Sequence, residues 1–107
     1  MTVIDIIRKT NSVTITAAGH AQAPRNEDGR DLVCCAISTL LTALANSCAQ
    51  LEGPATIYHT TSGYAELTIH NVQTLPDEIR ARVQMLIDGL TVLSQQYPQN
   101  IRMTITD

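Results

Sequence analysis

A chain of 107 residues with 44% hydrophobic side chains supports one modest core and leaves no room for a second domain, so residues 1–107 read as a single domain. Phe and Trp are absent and only three Tyr occur, which leaves no aromatic platform for stacking bases. Seven basic residues scattered among ten acidic ones, for a net charge of −3, argue against a basic footprint for nucleic acid or anionic lipid.

The N-terminal stretch MTVIDIIRKTNSVTIT interrupts its apolar residues with Asp5, Arg8 and Lys9, so it lacks the continuous apolar run of a secretory leader and points to the cytoplasm. Three cysteines, an odd count with no CxxC pair, fit reduced thiols better than a disulfide framework. Val3 to Ile7 and Ser12 to Ala18 read as strands, the second with Val13, Ile15 and Ala17 on one face and Thr14 and Thr16 on the other, and Lys9 to Ser12 as the turn between them. Residues Gly19 to Arg30 are polar and without periodicity. They form a loop long enough to be a functional suspect in so small a domain.

Asp31 is the expected N-cap of the helix that follows, with a stripe of Val33, Ile37, Leu40, Leu44, Cys48 and Leu51 facing the core. From Leu32 to Leu51 there is no charge, a run about as long as a bilayer crossing. Its Ser, Thr, Asn and Gln residues, the absence of flanking Lys/Arg clusters, and the bracketing Asp31 and Glu52 favour a helix covered on more than one side, either central to the fold or partly at a subunit interface. Glu52-Gly53-Pro54 stops it. Ala55 to Thr60 and Tyr64 to His70 follow as a hairpin around Thr61-Ser62-Gly63. A second helix, starting near Thr74 to Asp77 with Pro76 in its first turn and running to about Tyr97, carries Ile79, Val83, Leu86, Leu90 and Leu93 on one stripe. Pro98 ends it, and Ile101, Met103 and Ile105 alternate with polar residues in a last strand. The order β-β-α-β-β-α-β gives an α/β fold of the α+β type, two helices packed with mostly antiparallel sheet.

One pair of side chains carries chemistry. His20 stands at a strand end and Cys34 in the first turn of a helix, where unpaired N–H groups and the helix dipole favour a thiolate. A thiol with a histidine base is the nucleophile of a cysteine hydrolase. In this reading Cys34 attacks the scissile carbonyl, His20 takes its proton and returns one to the leaving amine, and N–H groups at the helix start stabilise the oxyanion. The loop from Ala21 to Arg30 would bind or gate a peptide as a lid. Cys35 lies about 100° round the helix, toward Thr39, Thr42 and Asn46, which leaves open which thiol reacts. Cys48, on the core stripe, is a small buried hydrophobe. His59 and His70 fall in strands with no assigned role. Two rival classes remain: a metal site using His20 with Cys34 or Cys35, which lacks CxxC pairs and a clear fourth ligand, and a non-catalytic assembly protein, dimeric through its apolar helix, with incidental thiols. Neither a cofactor nor a metal is expected.

The combination Gly19-His20-Ala21, Gly29-x-Asp31-Leu32-Val33-Cys34, Ala36 and Ser38, with Asn100-Ile101-Arg102 at the far end, resembles the ribosomal-processing cysteine proteases called Prp. The resemblance spans nearly the whole chain. It implies a cytoplasmic endopeptidase that removes an N-terminal extension from large-subunit ribosomal protein twenty-seven during ribosome assembly, with Cys34 as nucleophile and His20 as base, and with Gly19, Gly29, Asp31 and Ser38 in supporting or substrate-loop positions. It also implies a homodimer with helices packed between β-layers, and neither nucleic acid nor membrane as a direct partner. Two features depart from the family pattern: Cys35 replaces the usual small residue after the nucleophile, and the loop between His20 and Asp31 is a couple of residues longer.

Overall fold

Alternating β-branched and polar residues, punctuated by polar turns, fold this chain into two antiparallel hairpins, each followed by a helix. The computed structural model describes residues 1–21, 31–51, 55–70 and 77–107. Its elements are β1 (Thr2–Arg8), β2 (Ser12–Ala18), α1 (Leu32–Ala49), β3 (Ala55–Thr61), β4 (Tyr64–His70), α2 (Asp77–Gln96) and β5 (Ile101–Thr106), the expected β-β-α-β-β-α-β order.

The strands form one sheet in the order β3-β4-β2-β1-β5. The Lys9 N–H donates to the Ser12 carbonyl at 2.8 Å and closes the first hairpin, and Gly63, with φ +74°, turns the second. β2 pairs antiparallel with both β1 and β4, whereas β5 lies parallel to β1, so the sheet is mixed. That parallel pairing follows from α2, which carries the chain from β4 across to the opposite edge.

Ile4, Ile6, Val13, Ile15, Ala17, Ala65, Leu67 and Ile69 project from one face of the sheet into a single buried cluster with both helices. Asp5, Thr14, Thr16, Glu66 and Thr68 fall at the alternate positions and line the other face. Among the described residues there is one β-layer, with both helices packed on it, and no second layer.

Helix α1 is long and apolar enough, by length and composition, to cross a membrane. Here it packs Val33, Ile37, Leu41, Leu44, Ala45 and Cys48 into the core. The expected stripe is therefore shifted: Leu41 and Ala45 replace Leu40, which is only partly buried and leans on Gly89 of α2. α2 buries Ile79, Val83, Leu86, Ile87 and Leu90, with Leu93 half-buried at the end of the stripe. Arg82 links the two helices by donating to the Ser47 carbonyl at 2.9 Å, and within α2 it pairs with Glu78. After α2, the Asn100 and Ile101 N–H groups both return to the Tyr97 carbonyl, a tight turn that sets Asn100 at the entrance to β5.

Candidate active site

The segment Gly19-His20-Ala21 leaves β2 under unusual restraint. Gly19 has φ +90°, and its N–H donates to the Gly63 carbonyl at 2.7 Å, tying the end of β2 to the β3–β4 turn. Each of the three carbonyls is then held from elsewhere in the chain. The buried Thr2 hydroxyl donates to Gly19 O at 3.0 Å, the Met1 amine to His20 O at 2.8 Å, and Asn100 Nδ2 to Ala21 O at 2.9 Å. Three consecutive peptides thus have their orientation fixed by external donors, and the exposed His20 ring lies over Gly63.

The thiol arrives from the other end of the loop. Asp31, 8% exposed, uses Oδ1 to accept the N–H groups of Val33 and Cys34, each at 3.0 Å, and its carbonyl accepts the Cys35 N–H. The expected N-cap is present, and it fixes the first turn of α1. Cys34 is half-buried, and its Sγ accepts the Ala21 N–H at 3.3 Å. Both ends of the segment 22–30 are thereby brought to one place. Gly29 and the rest of the expected lid, like the expected start of α2 at 74–76 and the helix stop at 52–54, lie outside the described residues.

His20, Cys34 and Ser38 line one cavity of about 270 Å³, walled by Thr2, Thr61 and Tyr64 among others. Among the described residues, no hydrogen bond joins the His20 ring to Sγ, and the sulfur's hydrogen bond comes from the Ala21 N–H. Cys35 is exposed and outside this cavity, and Cys48 is fully buried in the core, so the thiols do not converge. A larger cleft of about 780 Å³, between Arg8, Lys9, Arg80 and Asp107, contains neither thiol nor imidazole.

One expectation requires correction. The helix-start N–H groups of Val33 and Cys34 are satisfied by the Asp31 carboxylate, so they are not open to an oxyanion. Five contributors were not legible in the sequence. The Met1 amine carries no signal, and Thr2 none beyond being a threonine in a strand. Asn100 stands out only as part of the motif quoted above, Gly63 only as a turn glycine, and the Ala21 N–H not at all.

The family model for the cysteine protease Prp matches residues 1–102. No curated protein matches the sequence. The ribosomal-processing protease Prp of S. aureus, in complex with a covalently linked product peptide, superposes with a TM-score of 0.75 at 25% identity, covering 99% of this chain and 100% of that one. The same S. aureus protease with a substrate peptide gives 0.70 at 22% identity over 99% and 100%. SMU.848 from Streptococcus mutans gives 0.71 at 22% identity over 99% and 94%. The match over residues 1–102, on a fold shared throughout its length, shows that the chain belongs to the Prp family of cysteine proteases.

Proposed function

We propose that this chain is an endopeptidase that removes the N-terminal extension of large-subunit ribosomal protein twenty-seven, with Cys34 as nucleophile and His20 as general base. The observation that carries this reading is the shared cavity: an imidazole and a first-turn thiol lie on its walls, while the neighbouring Cys35 lies outside. Similarity to a ribosomal-processing protease bound to peptides supports a peptide substrate. The exposed His20 ring closes on Sγ when a peptide fills the cavity, since catalytic hydrogen bonds are often loose before substrate binds.

In the reaction, His20 accepts the Cys34 proton as Sγ bonds to the scissile carbonyl carbon and the π pair moves to oxygen. The tetrahedral species collapses by breaking the C–N bond, and His20 gives its proton to the leaving amine. Water, deprotonated by the same ring, then hydrolyses the thioester. Ser38, on the cavity wall one turn beyond Cys34, supports the bound peptide.

The exposed side of α1, with Leu32, Cys35, Thr39, Ala43 and Asn46 and no charge, supports a homodimer. Free thiols, with Cys35 exposed, suit the reducing cytoplasm.

The deciding experiment incubates the protein with a peptide spanning the extension and mature start of the ribosomal protein. Cleavage by wild type and by Cys35→Ala, but not by Cys34→Ala or His20→Ala, supports the reading. Loss with Cys35→Ala alone moves the nucleophile, and no cleavage by wild type leaves a non-catalytic assembly protein.

A further inference from the structure

The Val33 and Cys34 N–H groups are engaged by Asp31 Oδ1, which places a carboxylate where the charge of an oxyanion would otherwise be received. A second N–H approaches the reacting atom from the opposite side of the loop. The Ala21 N–H points at Cys34 Sγ from 3.3 Å. We infer that the backbone N–H of Ala21 is an oxyanion donor of this protease and that Asn100 is the residue that positions it. The inference rests on the proteolytic reading above and identifies a different group from the helix-start amides.

The stereochemistry is direct. When Sγ bonds to the carbonyl carbon, the oxygen that takes up the π pair stands one bond beyond that carbon. A donor already in contact with Sγ then needs only a small shift to meet the developing O⁻ within hydrogen-bond distance. When the C–N bond breaks, the electron pair returns to re-form the carbonyl and the donor relaxes to sulfur. The donor must stay aimed while it makes that small shift, and both the peptide that carries it and the next one are held: the Met1 amine donates to the His20 carbonyl of the same peptide at 2.8 Å. Ala21 is 1% exposed, and the Asn100 carboxamide binds its carbonyl at 2.9 Å. Asn100 is itself anchored: its N–H returns to the Tyr97 carbonyl at 3.0 Å, and its carbonyl accepts the Thr2 N–H at 2.8 Å. The His20–Ala21 peptide is therefore held by the Met1 amine just ahead of β1, and the Ala21 carbonyl beyond it by the turn into β5.

Cys34 itself gives the route to a test, because it is a ligation junction: residues 1–33 as a synthetic thioester, with Ala21 replaced by L-lactic acid, join to residues 34–107 to yield the full chain with one ester in place of one N–H. Two readouts are taken, kcat for the extended ribosomal peptide and the rate of Cys34 alkylation by iodoacetamide in a Cys35→Ala background. Alkylation by displacement develops no oxyanion. The expected result is a fall of about 10²–10³-fold in kcat with alkylation changed only a few-fold. An ester variant with kcat within a few-fold of the semisynthetic wild type overturns the assignment, and so does an equal loss in both readouts, which reports a collapsed site. Asn100→Ala, made recombinantly, keeps the question answerable if the ester does not fold: it should lower kcat more than it raises KM and spare alkylation, and an unchanged kcat overturns the positioning role. Cleavage by wild type with an unimpaired ester sinks only this inference, whereas no cleavage by wild type sinks the proteolytic reading with it.

Discussion

The imidazole of His20 rests directly on Gly63, so that a Cβ at residue 63 would stand 3.0 Å from Nε2 and 3.4 Å from Cε1. The ring occupies the space that any other residue's side chain would fill. Gly63→Ala should therefore displace the ring from its resting position by a few tenths of an ångström and change kcat for peptide cleavage by no more than a few-fold, since in the proposed mechanism the ring leaves that position to close on Sγ. It should also cost about 1–2 kcal/mol of stability, because φ +74° is unfavourable for a residue with a Cβ. Steady-state kinetics and urea unfolding of the variant measure the two effects separately.

Gly19 meets a harder limit. Its φ is +90°, and a Cβ there would lie 2.6 Å from the Met1 carbonyl oxygen, a backbone atom that cannot rotate away. Gly19→Ala should destabilise by more than about 2 kcal/mol and lower the yield of folded protein, visible as a reduced urea midpoint.

Asp31→Ala removes both side-chain bonds at the start of α1 and should cost about 1–2 kcal/mol. Asp31→Asn, which keeps an acceptor oxygen, should recover a large part of this. Amide exchange at Val33 and Cys34 should speed up in the Ala variant before that of the rest of α1 does.

Much of this architecture was legible in the sequence, and the failures are instructive. β2 and β4 match their expected bounds because strict alternation of apolar and polar residues has one period and one solution. The cap at Asp31 was legible for the same local reason. The phase of α1 was not: a helix apolar on nearly every side does not indicate which side meets the sheet, so the spacing fits Leu40 as well as the buried Leu41. The clamp on Gly19-His20-Ala21 was invisible because its donors, Met1, Thr2 and Asn100, are 17 to 79 residues away along the chain. The unavailability of the helix-start amides was also hidden, since an N-cap and an oxyanion site compete for the same N–H groups and the sequence alone does not decide between them.

Burial pushes the Cys48 thiol up, an effect that the positive charge of Arg82 opposes only in part. A folded thiol that holds its proton to higher pH than the unfolded one contributes stability that is complete below the unfolded pKa and lost as pH rises through the folded value. Unfolding free energy should thus decline above the ordinary thiol value of 9.0, and decline less in Cys48→Ala. In native protein, iodoacetamide should modify Cys35 readily and Cys48 only after unfolding, as peptide mapping by mass spectrometry would reveal.

Gly89→Ala is expected to stabilise. The new methyl would sit 3.5 and 3.7 Å from the two Leu40 Cδ atoms, ordinary contact distances, while α2 gains helix propensity. The gain should be about 0.5–1 kcal/mol in thermal or urea unfolding.

The bond from Asn100 to the Ala21 carbonyl spans 79 positions of sequence. Both catalytic candidates have been synthesised by residue 34, yet the brace on the peptide between them is made at residue 100. A nascent chain that has not reached residue 100 carries His20 and Cys34 without the bond that holds the Ala21 carbonyl. Residue 100 has to be translated before the two candidates share their finished frame.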